Sequence, residues 1–306
     1  MENQQIKYQI ELLYKAVLKR DPGPSEIEYY YNSISQKESP FDFVSLVEHF
    51  MHSPEAHSLN KPVFRDLIFN QHTHGNTIIR DIFSLGDHCY TSNLLKSIGL
   101  KIYSGPFDWL FSNLQMVIDC FNDDFKKLLD RSYYRTVPLS ERQEPHVNLC
   151  EHLFYRHHFG VKKVFNHIDP NNQKDYSYLE RCVNRLRKVL SNKDSVLFIA
   201  VVDYYSSIEE HFFHLSELLS KRNKKAEFLL ISVHKVKPKN HFKPIGFDII
   251  KTNKSHYLAV LQSDETVGPL HFDDRFYDFL IARLIGSYSF DLKPDPLSLD
   301  TQSHDH

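Results

Sequence analysis

The chain has 306 residues, with 37 Lys and Arg against 39 Asp and Glu, which gives a formal net charge of −2 at pH 7. That balance argues against a dedicated nucleic-acid binder and against a polybasic membrane-surface protein. At 41% hydrophobic and 25% charged residues, the composition is that of a folded globular protein, not a disordered one.

Ile6, Ile10, Leu13 and Val17 recur at helical spacing, so an amphipathic helix is predicted over residues 5–20. Asp21-Pro22-Gly23-Pro24 stops it. Ser25, with Glu28 three residues on, reads as the capping box of a second helix. Ser39-Pro40 opens a third, with Phe43, Leu46, Val47 and Phe50 on one side, and Ser53-Pro54-Glu55 starts another short turn. Residues 1–58 therefore read as a small helical docking domain and residues 59–77 as a linker. No apolar run approaches the roughly 20 residues that span a bilayer, and Met1 to Arg20 lacks an apolar targeting region. Cys89, Cys120, Cys150 and Cys182 form no C-x-x-C pair. A reduced, cytoplasmic location without a membrane span is expected.

Leu13 to Pro22, with Arg20 and Pro22 as landmarks, followed by Phe50-Met51-His52-Ser53-Pro54-Glu55, resembles a small helical domain of unknown function. That domain occurs in bacterial surface-associated proteins and beside glycosyltransferases. The resemblance implies docking or interaction, not catalysis.

Ile78 to Leu85 is a strand candidate that ends in Gly86-Asp87-His88-Cys89, after which Leu94, Leu95 and Ile98 take helical spacing. A strand, a tight glycine turn and a reactive side chain at a helix start share the logic of the hydrolase nucleophile elbow. A thiol at a helix N-terminus faces unpaired N–H groups, which favours its thiolate. Equally, a lone cysteine is often a small buried apolar residue. Ser177 with Glu180 and Ser207 with Glu210 read as capping boxes of two further helices. Ser195 to Val202 and Phe228 to Val233 are continuous apolar runs, as in strands buried on both faces. Phe247 to Ile250 and Tyr257 to Leu261 are further strand candidates, and Asp273 to Ile285 a last helix. This alternation predicts an α/β domain over residues 78–292, with a mostly parallel, doubly wound, three-layer sheet. Residues 293–306 read as a disordered tail.

Ser84-Leu85-Gly86-Asp87-His88-Cys89, then Ser104-Gly105-Pro106-Phe107-Asp108-Trp109-Leu110, then Val117 to Phe125, resembles a family of bacterial proteins described as papain-like cysteine peptidases, over about residues 80–235. The resemblance implies Cys89 as nucleophile and, through Val164-Phe165-Asn166-His167-Ile168-Asp169, His167 as base. A papain-type fold would follow its cysteine helix with an antiparallel sheet, so the predicted parallel sheet departs from that fold.

Ligands of open α/β sheets gather at the carboxyl ends of strands. Cys89, His167 and Asp203 each directly follow a strand candidate, and His271 precedes the last helix, where esterases of the SGNH type carry their histidine. Candidate catalytic residues are therefore Cys89, His167 and His271, with Asp169 or Asp203 to orient the base. Gly86, Asp87, His88, Asp108 and Trp109 are candidate substrate-binding residues of the same turn region. For each lone histidine a structural hydrogen bond is an equal reading. Asp108 reads first as a turn residue and Trp109 as core.

His146, Cys150, His152, His157 and His158 crowd one segment, without finger or H-E-x-x-H spacing. A solvated loop is expected there, and neither metal nor cofactor is assigned. Lys221, Arg222, Lys224, Lys225, Lys235, Lys237, Lys239 and Lys243 read as a solvated rim. The alternative is an anionic ligand such as an acyl carrier, coenzyme A or an acidic glycan. The expected function is a thiol-dependent hydrolase or acyltransferase acting on a small-molecule, peptide or glycan substrate. The rival is a non-catalytic binding module with a structural cysteine.

Overall fold

Helical spacing in the first part of the chain and strand–helix alternation in the rest build two units. The computed structural model describes residues 2–18, 20–35, 46–47, 49–50, 53, 55, 77–142, 149–236, 247–253 and 255–297. The chain divides into Met1–Thr73 and His74–His306. The linker expected at 59–77 lies outside the described residues except for Thr77. So do the start of the third helix at Ser39-Pro40, His146, Lys237, Lys239, Lys243 and residues 298–306.

In the first unit, α1 (Glu2–Leu13) runs on as a π-helical turn, Tyr14–Leu18, and α2 spans Pro24–Ser35. Ile10, Leu13, Leu46, Val47 and Phe50 are buried, and Tyr14 meets the Phe50 ring edge-on at 4.8 Å. The second helix starts earlier than the expected cap at Ser25. Its opening is held by Glu26, whose Oε2 accepts from Gly23 N at 2.6 Å, while Glu28 pairs with Lys7 instead. Pro24 suits the first helical position because its fixed φ is helical and no N–H is needed there. Arg20 donates to Glu26 at 2.9 and 2.8 Å and to Glu55 at 2.6 and 3.0 Å. Arg20 and Glu55, from the two sequence landmarks of this unit, thus meet in one guanidinium clamp.

In the second unit, among the described residues, five strands form one sheet: β2 (Asp81–Ser84), β5 (Val196–Asp203), β6 (Ala226–Lys235), β8 (His256–Ser263) and β7 (Phe247–Asn253), in that spatial order. The first four are parallel, and β7 is an antiparallel edge strand. Two small ladders accompany it: β1 (Ile78–Ile79) beside β9 (Ser289–Phe290), and the antiparallel pair β3 (Tyr134–Thr136) and β4 (Cys150–His152). The sheet is covered on both faces, which is why β5 and β6 read as apolar runs. The opposite sides carry different helices. Tyr90–Ser97 (α3) packs on β2, β5 and the last helix, Arg275–Ile285 (α8). On the other face Phe83, Phe198 and Phe228 lie in register, and α4 (Leu114–Asp123), α5 (Leu153–Phe159), α6 (Gln173–Ser191) and α7 (Ile208–Arg222) contribute to the core there. Each fully buried Phe contributes about 1.5–3 kcal/mol. The mostly parallel three-layer α/β architecture is present.

Two helix starts differ from expectation. Asn172 caps α6, its Oδ1 accepting from Asp175 N at 2.9 Å, so the helix begins at Gln173, upstream of the expected Ser177 box. Ser207 does precede α7, but its side chain makes no capping bond. The expected tail is also shorter at its start. Lys293 pairs with Asp194 at 2.6 Å and Asp295 with Arg185 at 2.7 Å, which ties residues 293–297 to the second unit.

Candidate active site

The turn after β2 needs glycine. Gly86 has φ +59, and a Cβ there would lie 2.7 Å from Ser112 Oγ and 3.2 Å from the Phe107 carbonyl. This turn delivers Cys89 to the start of α3, where its carbonyl accepts from Asn93 N at 2.9 Å. Cys89 is 4% exposed.

A second segment brings the histidine. Phe165 exchanges backbone bonds with Cys150 of β4 in both directions at 3.0 Å, and Phe111 N donates to Val164 O at 2.9 Å. Phe165 also bridges Leu110, so the Phe107-Asp108-Trp109 turn and the Asn166-His167 turn lie side by side. The result is a contact of 3.4 Å between Cys89 Sγ and His167 Nε2. His167 is exposed, so the imidazole stands at the mouth of the site over a buried sulfur. Trp109 meets the His167 ring edge-to-face at 6.5 Å, and Asn166 Nδ2 lies 3.4 Å from the same Nε2.

Asp108 is a buried anchor. Its carboxylate accepts from Ser84 Oγ, from Gly105 N at 2.6 Å and from Lys101 Nζ, in an ion pair almost wholly out of solvent. The same Lys101 ammonium sits 5.7 Å over the Trp109 ring. Asp108 therefore holds the turn that carries Trp109.

The remaining candidates separate. Asp169 does not orient His167: its carboxylate accepts from Thr136 Oγ1 at 2.6 Å and from Asn171 N at 3.1 Å. Asp203 accepts from Val267 N at 3.0 Å. His271 is exposed, with Nδ1 at 2.8 Å from the Phe272 carbonyl rather than bonded to Cys89. Its loop does reach α3, through Asn93 Nδ2 to Leu270 O at 2.9 Å. Among the described residues no carboxylate is hydrogen-bonded to His167, so the Cys89–His167 contact stands without the carboxylate expected to orient the imidazole. His88 accepts from Tyr90 N at 3.3 Å, and burial lowers its pKa. Asp87 is half-buried and pushed up to about 6, by burial first and by the nearby Asp203 charge second.

The thiol departs from the helix-dipole expectation. Burial raises the Cys89 pKa, the Asp108 charge adds to the rise, and its own backbone N–H opposes it. Desolvation outweighs the backbone N–H at the start of α3, so the surroundings of Cys89 favour the neutral thiol over the thiolate. Three contributors carry weak sequence signals. Asn166 stands next to a candidate histidine, whereas Lys101 and Ser112 look like ordinary surface residues.

The histidine-rich segment is engaged structurally where it is described. His152 is fully buried, capping Tyr155 N at 3.4 Å and facing the Lys127 carbonyl at 2.8 Å. His158 stacks on Phe154 at 4.1 Å. Among the described residues no group of three or more His, Cys, Asp or Glu is placed to hold a metal ion. In the basic rim, Lys221 pairs with Glu217 at 2.8 Å and Arg222 with Asp124 at 3.3 Å, while Lys224, Lys225 and Lys235 are exposed. No helix among the described residues is long and apolar enough to cross a membrane.

Residues 80–236, more than half of the chain, match the family model described as "Putative papain-like cysteine peptidase (DUF1796)". The chain belongs to this family. Membership in DUF1796 points to a thiol hydrolase, and the matched span contains both Cys89 and His167. No curated protein and no solved structure matches the chain.

Proposed function

We propose that this DUF1796 member is a thiol-dependent hydrolase or acyltransferase acting on an amide, ester or thioester carbonyl, with Cys89 as nucleophile and His167 as base. The observation that carries this reading is the 3.4 Å contact between Cys89 Sγ and His167 Nε2. Because the thiol rests neutral, His167 Nε2 takes its proton as Sγ attacks the carbonyl carbon. The oxyanion accepts hydrogen bonds from the backbone N–H groups at the start of α3. As the tetrahedral adduct collapses, the Nε2–H protonates the leaving group and a thioester remains. Water or an acceptor hydroxyl, deprotonated by His167, then attacks the thioester and restores the thiol. The resemblance of the first unit to domains found beside glycosyltransferases supports a substrate in surface-polysaccharide metabolism.

One observation favours a second reading, a non-catalytic carbohydrate- or protein-binding module with a structural cysteine: burial raises the thiol pKa. The iodoacetamide alkylation rate of Cys89 across pH, in the native chain and in His167→Ala, separates the two. For the enzyme, the native rate at neutral pH exceeds that of His167→Ala by about tenfold or more, the usual worth of a general base being about 10²–10⁴. Equal rates in both chains, rising only above about pH 8.5 as for an unassisted thiol, would rule it out.

A further inference from the structure

The amino ends of the strands, opposite the Cys89 turn, enclose a cleft of about 620 Å³. At about 3.3 Å per residue, the eight residues of β5 put it about 25 Å from the carboxyl ends where Cys89 lies. Its ligands are therefore not those attacked by the thiol.

The lining is polar and of two kinds. Lys224 and Lys225 are exposed at its edge, and among the described residues neither is paired with a carboxylate. Arg80 stands with them, tied to Asp291, and the Asp194 carboxylate on the same wall is neutralised by Lys293. Glu227, the second residue of β6 and just ahead of its apolar run, also lines the cleft and is 5% exposed. The Thr77 side chain lies near its carboxyl, and among the described residues no cation is paired with it. Ser195 and Ser255 also line it, their hydroxyls donating to the Ile78 and Ala226 carbonyls and left to accept from a ligand. A buried acid without a cation is unfavourable for the fold alone, and in a cleft it marks a binding site. Ammonium groups and a guanidinium bind a phosphate, whereas a carboxyl and hydroxyls bind hydroxyl groups. The volume is within the usual range of small-molecule sites.

We propose that this cleft binds a phosphate monoester of a hydroxyl-bearing small molecule, with Lys224, Lys225 and Arg80 on the phosphate and Glu227 on the hydroxyls. The site is separate from the Cys89–His167 dyad and does not depend on its chemistry.

Isothermal titration calorimetry on the full chain tests this, with glucose 6-phosphate, AMP, inorganic phosphate and glucose as probes. At least one of the two esters binds with unit stoichiometry, and inorganic phosphate and glucose bind at least about tenfold more weakly. Tighter binding of glucose 6-phosphate identifies a sugar phosphate, and tighter binding of AMP a nucleotide. The double variant Lys224→Ala/Lys225→Ala, whose side chains are exposed, loses about tenfold or more in affinity. Cys89→Ala binds as the native chain does. The proposal is overturned by the absence of binding for both esters at about 10 mM, by inorganic phosphate binding as tightly as the esters, or by an unchanged double variant. Loss of binding in Cys89→Ala overturns the separation from the dyad.

Discussion

Replacing Glu227 by Gln isolates the cost of a buried acid. Burial raises its pKa from about 4.5 to about 7, and the nearby Thr77 side chain offsets only part of that. Thr77, Tyr257 and Tyr288 adjoin it without positive charge, and none of the cleft cations Arg80, Lys224 and Lys225 is paired with it among the described residues. A carboxyl raised in the folded state holds its proton more tightly there than in the unfolded chain. Its contribution to stability is full below about pH 4.5 and is lost as pH rises through about 7. At about 1.4 kcal/mol per pH unit, the loss reaches about 3 kcal/mol. Gln keeps the shape and cannot ionise. Glu227→Gln is therefore expected to leave the midpoint of the second unit unchanged near pH 4.5 and to raise it by roughly 6–12 °C near pH 8. Thermal unfolding followed by calorimetry at several pH values measures this. A difference independent of pH, or a lower midpoint for the variant near pH 8, refutes the reasoning.

Gly86→Ala combines positive φ with the Ser112 and Phe107 contacts, so it should cost about 1–3 kcal/mol by denaturant unfolding. A loss under about 0.5 kcal/mol would show that the turn relaxes freely. Lys101→Met leaves the buried Asp108 carboxylate without its cation and should cost about 3–5 kcal/mol, with part recovered when Asp108→Asn is added. No recovery in the double variant would mean that Lys101 acts by packing alone. Asp169→Asn should leave iodoacetamide labelling of Cys89 within about twofold of native, and a larger loss would place this carboxylate back beside His167. Trp109→Ala should lower the labelling rate and Trp109→Phe should restore most of it, because the imidazole rests against the aromatic ring. Equal rates in both Trp109 variants would count against that contact.

The sheet is readable because its central strands are buried on both faces, and such strands leave apolar runs in the sequence. The small β3–β4 pair is not, since three-residue strands with exposed Arg135 and Thr136 carry no periodicity. Helix α6 shows how a cap can mislead: Ser177 and Glu180 have the right spacing, but Asn172 and Asp175 have it too and come first. In the candidate site, Cys89 is legible from a local strand–turn–helix pattern, whereas His167 is read from the family resemblance and from its place after a strand candidate. The third partner is not, because Asp169, two residues from His167, has a nearer pair of donors in Thr136 and Asn171. Spacing along the chain does not reveal that competition.

The missing carboxylate and the neutral thiol belong together. A thiolate–imidazolium pair needs an environment that favours both charges, and here burial and the Asp108 charge disfavour the thiolate. With no carboxylate bonded to His167 among the described residues, the imidazolium also lacks a fixed counter-charge. Proton transfer during attack avoids forming that pair in the resting site. It requires only that Nε2 be held near Sγ and be free to accept. In the proposed reaction the uncharged Trp109 ring, edge-to-face with the imidazole, serves the first, and His167 is exposed to solvent. Lys101 acts one step further away: by neutralising Asp108 it limits the negative charge felt by the sulfur. In the proposed reaction, ionisation of Cys89 is thus tied to substrate attack, and burial favours the neutral thiol between encounters.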